Sequence, residues 1–564
     1  MTTALSKTVA VFFLCYLFLL TISYAQSYAR NGMVVSASKA SSEVGSDILK
    51  QGGNAIDAAV ATAFSLAVTW PSAGNIGGGG FIVFVNSEGD ATTIDFREKA
   101  PLSASPNMYL DKKGQLIDNI NHLNIKAIGV PGTVAGLCKA HQKYGKLPWP
   151  AVVQPAIDQA TNGFPFTWTL FNHAKNIKEN WTAYPEMQRY LLTEDESLYQ
   201  PGEIWKQPAL AKTLSAIRDD GHDGFYKGEV ASEIASFMKK NSGLITKKDL
   251  AKYEAIERKP IQGSYKGYDI ISMPPPSSGG ITLIQMMNMM ENFDLGKIEF
   301  NSTVYLHLLS EVMRRGFADR AEHLGDPDFN PDMPIDLLIS KDHAKKRAIN
   351  LDITKASVSD SSRFSQIYDG ESTTHLSVMD KDGNAVSMTY TLEYDYGSRV
   401  IDEKLGFIFN NEMGDFNPKP GYTDTKGMIG SIPNQIAPEK RMLSSMTPTI
   451  VMKDGQPVLV IGSPGGRTII NTVFQTVLNV LEHDMRIDHA IESLKIHHQW
   501  LPDYIGYEKW KLAPDTREAL IEMGHTLKEY SSLGALMGIS YDPAEGLFTG
   551  AVDSSRPDGG AVGY

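Results

Sequence analysis

Two threonines in one predicted β-hairpin are the first candidates for reactive side chains in this sequence. The stretch Thr374 to Met379 alternates small or polar with apolar residues, and Ala385 to Thr391 is rich in Val, Thr and Tyr. Between them, Lys381-Asp382-Gly383 has the composition of a turn. A hydroxyl on such a strand becomes a nucleophile only when a base takes its proton, so the hairpin alone establishes no activity.

The register of this hairpin decides which threonine hydroxyls meet. A two-residue loop at Asp382-Gly383 would set Thr374 opposite Thr391, whereas a three-residue loop that ends at Gly383 would set Thr373 there. Glycine suits the third loop position because that position needs a positive φ, so the sequence favours the second register. Cross-strand threonine pairs are ordinary in sheets, and this pair needs a second observation before it indicates catalysis.

The second observation is a resemblance. Ser372-Thr373-Thr374-His375-Leu376-Ser377 is similar to the start of the small subunit of the γ-glutamyltransferases, also called γ-glutamyl transpeptidases. The resemblance implies that the precursor cuts itself between Ser372 and Thr373, that Thr373 is the nucleophile, and that Thr391 bonds its hydroxyl. An α-amine titrates at about pH 7.7–8.0, so the new N-terminus would be partly neutral and could act as the base.

Two charged motifs are similar to those with which the family binds the α-carboxylate and the α-ammonium of its substrate. In Asp95-Phe96-Arg97-Glu98 the match implies that Arg97 holds the substrate's α-carboxylate, although alone it could pair with a neighbouring carboxylate at the surface. Glu412 and Asp415 match the groups that bind the α-ammonium, although two carboxylates three residues apart could simply be solvated.

Small residues supply the remaining matches. Ser444 and Ser445 resemble the pair that bonds the α-carboxylate, although adjacent serines often cap helices. Gly465 and Gly466 follow a strand, and the resemblance implies that their N–H groups form an oxyanion hole, where the alternative is a tight turn. Glu393 stands where many family members carry Asn, and the resemblance assigns it to substrate binding.

The elements around these residues are dominated by small and apolar side chains. Gly52 to Thr69 predicts a helix buried on most sides, with Asn54 as its N-cap and Pro71 as its stop. Gly77 to Gly80 precede the strand Phe81 to Val85. Phosphate-binding loops precede a helix instead, so close backbone packing is the better interpretation of the glycines.

Two further stretches carry expectations of their own. Lys346 to Gly370, polar and rich in Ser and Asp, predicts an exposed tether ahead of the cut. Lys419 to Ala437 has about the length of the lid that covers the site in many family members, but it lacks their aromatic residue near its centre. Tyr422 lies too early to replace that residue.

The histidines and cysteines of the sequence predict neither a metal site nor a disulfide. His375, His497 and His498 have no metal-ligand spacing and are interpreted as packing or hydrogen-bonding residues. The resemblance implies no metal and no organic cofactor. Cys15 lies in the leader described next, which leaves Cys138 as the only cysteine of the mature chain and excludes an intramolecular disulfide.

The net charge limits the partners that we expect, and the N-terminal residues indicate the compartment. The 564 residues carry a net charge of −12 without a Lys/Arg tract, so nucleic acid is not an expected partner. Lys7, the apolar run Val9 to Ile22 and Ser23-Tyr24-Ala25 predict a signal peptide over residues 1–25, with an uncleaved anchor as the alternative. We therefore expect export to the periplasm or the medium and no stable membrane span, which needs about 20 apolar residues.

The fold that the resemblance implies is an α+β N-terminal-nucleophile hydrolase sandwich, with two central sheets flanked by helices (αββα). A large subunit of residues 26–372 and a small subunit of residues 373–564 would build it jointly as a heterodimer. The alternation of strands and buried helices is compatible with this fold but could not have identified it.

The function that the resemblance implies is that of a γ-glutamyltransferase and glutathione hydrolase. The γ-glutamyl group of glutathione or a similar compound would pass through a threonine ester to water or to an amino acid or dipeptide. A glutaryl (cephalosporin-type) acylase or a poly-γ-glutamate hydrolase is the related alternative, and Arg97, Glu412 and Asp415 favour a free amino acid head instead. An unprocessed, non-catalytic binding protein is the alternative of another class.

Overall fold

The computed structural model describes residues 26–359, 372–423, 428 and 430–564. Its strands are β1 (Gln26–Ala29), β2 (Gly32–Ser36), β3 (Gly79–Val85), β4 (Ala91–Asp95), β5 (Phe164–Pro165), β6 (Ile204–Trp205), β7 (Ile256–Arg258), β8 (Ile261–Tyr265), β9 (Tyr268–Ser272), β10 (Ser372–Asp380), β11 (Ala385–Glu393), β12 (Thr449–Lys453), β13 (Gln456–Gly462), β14 (Ile496–His497), β15 (Ile505–Glu508), β16 (Leu527–Tyr530), β17 (Met537–Asp542), β18 (Leu547–Val552) and β19 (Gly560–Gly563).

The α-helices lie mostly between these strands. They are α1 (Lys39–Lys50), α2 (Ala55–Thr69), α3 (Thr133–Tyr144), α4 (Trp149–Asn162), α5 (Trp168–Asn180), α6 (Pro185–Tyr190), α7 (Pro208–Asp220), α8 (His222–Tyr226), α9 (Gly228–Lys240), α10 (Lys247–Ala251), α11 (Gly279–Met290), α12 (Thr303–His323), α13 (Ile335–Leu338), α14 (Lys341–Ala348), α15 (Thr468–Leu481), α16 (Ile487–Glu492) and α17 (Pro514–Glu522). Short 3-10 turns lie at Ile125–Ala127, Leu295–Lys297, Glu412–Asp415 and Ile432–Asn434.

Two seven-stranded sheets stack face to face at the centre. One has the strand order β1-β18-β17-β13-β12-β9-β8, and the other has the order β19-β2-β10-β11-β3-β4-β7. Strands β10 and β11 pack on β13, while α2 covers the outer face of β10 and β11 and α15 lies against β13. This is the expected αββα sandwich of an N-terminal-nucleophile hydrolase.

Both sheets draw strands from both sides of the Ser372-Thr373 bond. Strands β1, β8 and β9 precede that bond and share a sheet with β12, β13, β17 and β18, which follow it. The other sheet likewise joins β2, β3, β4 and β7 to β10, β11 and β19. Because neither part of the chain has a complete sheet, each depends on the other for its core.

The predicted hairpin has the three-residue loop and the register that places Thr373 opposite Thr391. Asp380 N–H donates to Asn384 O at 3.1 Å, and Gly383 takes a φ of +91°. The pairing shifts by one residue between Ser372 and Thr373, where the strand is irregular. The register prediction is therefore confirmed, and the irregularity lies at the bond expected to be cut.

The helix and the glycine run that precede β3 are also confirmed. Helix α2 begins after Asn54, whose side chain accepts from Asp57 N–H in a capping box, and every residue of the helix is buried. A Cβ on Gly78 would lie 2.0 Å from the Thr391 carbonyl oxygen, and one on Gly80 would lie 2.4 Å from that of Thr389. The glycines are thus required by close contact with the hairpin.

The predicted tether begins later than expected. Helix α14 continues to Ala348, because Ser340 caps it and its alanines pack into the core, so the first residues of the stretch Lys346 to Gly370 are helical. The rest is exposed only in part, and residues 360–370 lie outside the described part of the chain, as does the predicted signal peptide. No helix of the described residues is both long and apolar enough to span a membrane.

Candidate active site

A single cavity gathers most of the site residues that the sequence singled out. They are Arg97, Thr373, Thr391, Glu393, Glu412, Asp415, Ser444, Ser445 and Gly466. The wall also includes Arg320 and Arg467, which were not among the predicted site residues. Gly465 is not among the wall residues and precedes Gly466 in the turn behind the wall.

The two threonine hydroxyls meet at the mouth of the hairpin. Thr373 Oγ lies 3.3 Å from Thr391 Oγ, within hydrogen-bond distance, and both side chains are buried. Thr391 Oγ also accepts the N–H of Glu393 at 2.8 Å. Asn75 Nδ2 donates to the Thr391 carbonyl at 2.9 Å and fixes the strand from the other side. Thr391 is therefore held in place as a partner for Thr373.

Arg97 is the centre of a buried cluster of charges. Its side chain is 1% exposed, which rules out the surface ion pair considered from sequence. The guanidinium contacts Glu412 at 2.6 Å and Glu98 at 3.6 Å, and it also bonds Asp415. The residues expected to hold opposite ends of a substrate head thus contact one another in the cavity.

The cluster contains more carboxylates than cations. Burial raises the pKa of Glu98 to about 8, even though Arg97 opposes the shift. Burial also raises the pKa of Glu412 well above its ordinary value, again against Arg97 and with the help of Glu98 and Asp415. One guanidinium cannot neutralise all of them, so part of the cluster is protonated when no further cation is present.

Glu393 has a partner that the sequence did not reveal. Its carboxylate lies 3.0 Å from His122 Nδ1, and the imidazole stacks on Tyr394 with ring centroids 4.9 Å apart. Burial raises the pKa of Glu393 well above 4.5, with Asp415 adding to the shift, and burial lowers the pKa of His122 to about 4. These shifts favour the neutral form of each group, and a protonated Glu393 can donate a hydrogen bond as an amide would.

The two serines are set up as hydrogen-bond donors. Ser444 Oγ accepts the N–H of Met446 at 3.1 Å, and Ser445 Oγ accepts from Arg320 Nη2 at 2.9 Å. Neither hydroxyl donates to an acceptor in the part of the chain that the structure describes. Because each oxygen already accepts, each O–H can point into the cavity and donate to an anion.

The glycines after β13 have the backbone that an oxyanion hole needs. Gly465 has a φ of +128° and Gly466 a φ of +54°, both in the region that favours glycine. Their carbonyls accept from Thr468 N–H at 3.0 Å and Ile469 N–H at 3.3 Å at the start of α15. No hydrogen bond among the described residues uses the N–H of either glycine, so both N–H groups are available as donors.

Some described residues of the segment considered as a lid reach the cavity. Met428, Ser431 and Asn434 line the wall, and Asn434 Nδ2 donates to Asp415 O at 2.7 Å. Tyr422 is 42% exposed and is not among the wall residues. The structure thus agrees with the expectation that Tyr422 does not replace the missing aromatic residue.

The histidines outside the cavity make packing contacts, as predicted. His375 is buried between Thr389 Oγ at 2.8 Å and Ser377 Oγ at 3.0 Å, and His498 lies 3.2 Å from Asp503. One group of three residues was not predicted from the sequence. It consists of His307, Glu311 and His525, whose possible metal-ligand atoms lie within 4.8 Å of one another. Glu311 is ion-paired with two arginines of α12, which disfavours a cation there.

Comparisons with known proteins agree with this architecture. A glutathione hydrolase proenzyme of Escherichia coli (strain K12) is 43% identical over 538 residues, which is 95% of this chain and 92% of that protein. A crystal structure of Helicobacter pylori gamma-glutamyltranspeptidase is 45% identical with a TM-score of 0.55, and covers 57% of this chain and 91% of that one. A cephalosporin acylase structure from Bacillus halodurans has a TM-score of 0.82 at 25% identity, over 96% of this chain and 97% of that one.

A family model that matches nearly the whole sequence identifies the family. The family model described as Gamma-glutamyltranspeptidase matches residues 41–564. That span includes the hairpin with its paired threonines and every residue of the charge cluster. The chain belongs to the gamma-glutamyltranspeptidase family.

Proposed function

We propose that the protein is a self-processing γ-glutamyltransferase and glutathione hydrolase whose nucleophile is Thr373. The γ-glutamyltransferase activity follows from the family and from the glutathione hydrolase proenzymes that the chain resembles. The finer proposal concerns the residues that perform it. The observation that carries it is the Thr373 hydroxyl, 3.3 Å from Thr391 Oγ, in the wall of a cavity that also holds Arg97, Glu412 and Asp415.

Processing would create the catalytic base. Cleavage of the Ser372-Thr373 bond adds water across that amide and leaves a carboxylate on Ser372 and a free amine on Thr373. The amine lies on the same residue as the hydroxyl and titrates at about pH 7.7–8.0 when unperturbed. It is the base that an internal threonine lacks, so the uncut chain would be inactive.

The transfer reaction then takes two balanced steps. Thr373 Oγ bonds to the γ-carbonyl carbon while its proton passes to the Thr373 amine, and the carbonyl oxygen becomes an oxyanion. The C–N bond breaks, the leaving amine takes the proton, and a γ-glutamyl ester remains on Thr373. Water or the amine of an amino acid or dipeptide attacks the ester, and the proton returns to Thr373 Oγ.

The cavity offers a complementary group for each part of the γ-glutamyl donor. The N–H groups of Gly465 and Gly466 would stabilise the oxyanion. Ser444 and Ser445 would donate to the α-carboxylate with Arg97 nearby. An α-ammonium would supply the cation that the carboxylates of Glu412 and Asp415 lack, and Glu393 would add a neutral hydrogen bond.

The subunits and the compartment are part of the same proposal. A large subunit of residues 26–372 and a small subunit of residues 373–564 would remain together, because both sheets contain strands of both. A cleaved signal peptide over residues 1–25 supports export to the periplasm or the medium.

The second candidate is an acylase that removes a glutaryl group, supported by the likeness to the Bacillus halodurans cephalosporin acylase. A glutaryl group has no ammonium and would leave Arg97 to balance the carboxylates of the cluster alone, so the charges of the cavity favour the γ-glutamyl donor. A non-catalytic binding protein would need neither the threonine pair nor the two free glycine donors.

The test is a denaturing gel followed by product analysis. We expect two bands and release of p-nitroaniline from γ-glutamyl-p-nitroanilide, with additional γ-glutamyl-glycylglycine when glycylglycine is added. A single full-length band without activity would favour the binding protein, and faster cleavage of glutaryl-p-nitroanilide would favour the acylase.

A further inference from the structure

Arg320 is a buried arginine of the cavity that no motif of the sequence announced. It lies in the last turn of α12, and 7% of the residue is exposed. Its Nε donates to Ser278 Oγ at 2.8 Å and its Nη2 donates to Ser445 Oγ at 2.9 Å. The guanidinium therefore reaches the end of the cavity where the two serine hydroxyls lie.

The charge of Arg320 is not compensated as that of Arg97 is. Arg97 has Glu412, Asp415 and Glu98 around it, and their combined attraction holds its pKa above the ordinary value although burial opposes this. Arg320 forms no ion pair with a carboxylate in the part of the chain that the structure describes. Burial, with the nearby Arg467 and against a smaller effect of Asp415, lowers its pKa to about 9. A buried cation without an anion is costly, so this end of the cavity attracts an anion.

The hydrogen bonds of Arg320 also orient the serines. Because its Nη2 donates to Ser445 Oγ, the Ser445 proton must be directed elsewhere, and the open direction is the cavity. Its Nε bond to Ser278 fixes a second hydroxyl, which in turn donates to the Ser444 carbonyl at 2.6 Å. One side chain thus holds both the Ser445 hydroxyl and the backbone of Ser444.

We propose that Arg320 is a positioning residue for the carboxylate end of the cavity. Its guanidinium makes Ser445 Oγ a hydrogen-bond donor and leaves one buried positive charge for the α-carboxylate of the γ-glutamyl group to neutralise. This role of Arg320 rests on the proposed function, since it assumes a γ-glutamyl donor in this cavity.

The alternative for Arg320 is a purely structural clamp between α12 and the serine segment. A clamp would support every substrate equally, because it would act on the shape of the cavity and on no particular group of the ligand. A positioning residue for an anion would discriminate among substrates by their carboxylate. Kinetic constants of the same protein with different substrates therefore distinguish the two roles.

Three p-nitroanilides provide that variation. The γ-glutamyl anilide has both the carboxylate and the ammonium, the glutaryl anilide lacks the ammonium, and the 4-aminobutyryl anilide lacks the carboxylate. In Arg320→Met we expect kcat/KM to fall about a hundredfold for the γ-glutamyl and glutaryl anilides and less than about threefold for the 4-aminobutyryl anilide. The fall should lie mostly in KM, because the carboxylate contact is the same before and during the reaction.

Two variants control the experiment. Arg320→Lys keeps the charge but cannot reach both serines, so it should recover part of the loss for the two anilides that carry a carboxylate. Glu322→Gln changes the charge of an exposed residue two positions further along α12 and should leave all three values unchanged. Two bands on a denaturing gel show for each variant that processing and folding are intact.

Equal falls for all three anilides in Arg320→Met, without recovery in Arg320→Lys, would assign the clamp role and overturn the proposal. If Arg320→Met does not fold, the same substrate ratio in Arg320→Lys decides between the roles. A parent protein that cleaves none of the anilides would instead refute the proposed function, which keeps the two failures distinct.

Discussion

Thr373 Oγ and Thr391 Oγ lie 3.3 Å apart across the hairpin, and Thr391 Oγ also accepts the N–H of Glu393. The second bond fixes the position of Thr391 Oγ, so the Thr373 hydroxyl has a partner at a defined place. If Thr373 is the nucleophile, as proposed, this contact would orient its hydroxyl.

Loss of the Thr391 hydroxyl should slow both reactions of Thr373. In Thr391→Ala we expect slower processing and a loss of about 1–3 kcal/mol in transition-state stabilisation, as for a buried hydrogen bond. Thr391→Ser retains the hydroxyl and should stay close to the parent protein. Time courses of the two bands and kcat/KM measure these effects, and parent-like rates in Thr391→Ala would remove Thr391 from the account.

The raised pKa of Glu393 leads to a prediction about its charge. Burial raises that pKa well above 4.5 and so favours the protonated acid, which an amide resembles in shape and in its ability to donate a hydrogen bond. We expect Glu393→Gln to keep kcat/KM within about fivefold, whereas Glu393→Ala should lose about 1–3 kcal/mol with the hydrogen bond. A loss in Glu393→Gln as large as that in Glu393→Ala would mean that the carboxylate must be charged.

Glu98 should make the stability of the protein depend on pH. Its folded pKa of about 8 lies above the ordinary 4.5, so between these values the folded protein binds more protons than the unfolded chain. Stability then falls as the pH rises from about 4.5 to about 8. Urea unfolding should show Glu98→Gln to be more stable than the parent at pH 8 and equal to it at pH 4.5. The opposite order at pH 8 would show that Glu98 is a stabilising carboxylate, while Glu322→Gln serves as an exposed control.

The selectivity for an ammonium should depend on Asp415. Its side chain is 37% exposed, so the cost of removing its charge is smaller than for a fully buried group. In Asp415→Asn we expect kcat/KM for γ-glutamyl-p-nitroanilide to fall by about 1.5–3 kcal/mol, roughly tenfold to a hundredfold. Glutaryl-p-nitroanilide lacks the ammonium and should be affected far less. A common factor for both anilides would make Asp415 a supporting residue.

Local patterns predicted the hairpin, its register and the buried helix α2, because a turn glycine, a cap and a run of small residues act over short distances. The site residues came instead from the family resemblance. The chain also shows what neither source gave. Arg97 contacts the groups that were expected to bind the ammonium. These contacts form only because the fold brings the end of β4 next to the turn at Glu412–Asp415.

His122 and Arg320 were missed for a related reason. Each is a single residue in an otherwise ordinary segment, and its partner lies more than a hundred positions away in sequence. The helix α12 buries other charged side chains as well, so no local signal distinguishes Arg320, and only the fold shows that it bonds Ser445. The end of α14 within the predicted tether was missed because Ala344 and Ala348 anchor a polar helix.

The most direct test of the account is the N-terminal sequence of the smaller band of the purified protein, compared with Thr373→Ala. The account predicts that this band begins Thr-Thr-His at Thr373 and that Thr373→Ala remains one uncut, inactive chain. A smaller band that begins at any other residue, or a Thr373→Ala protein that is still cut and still releases p-nitroaniline, would contradict the assignment of Thr373 as the nucleophile.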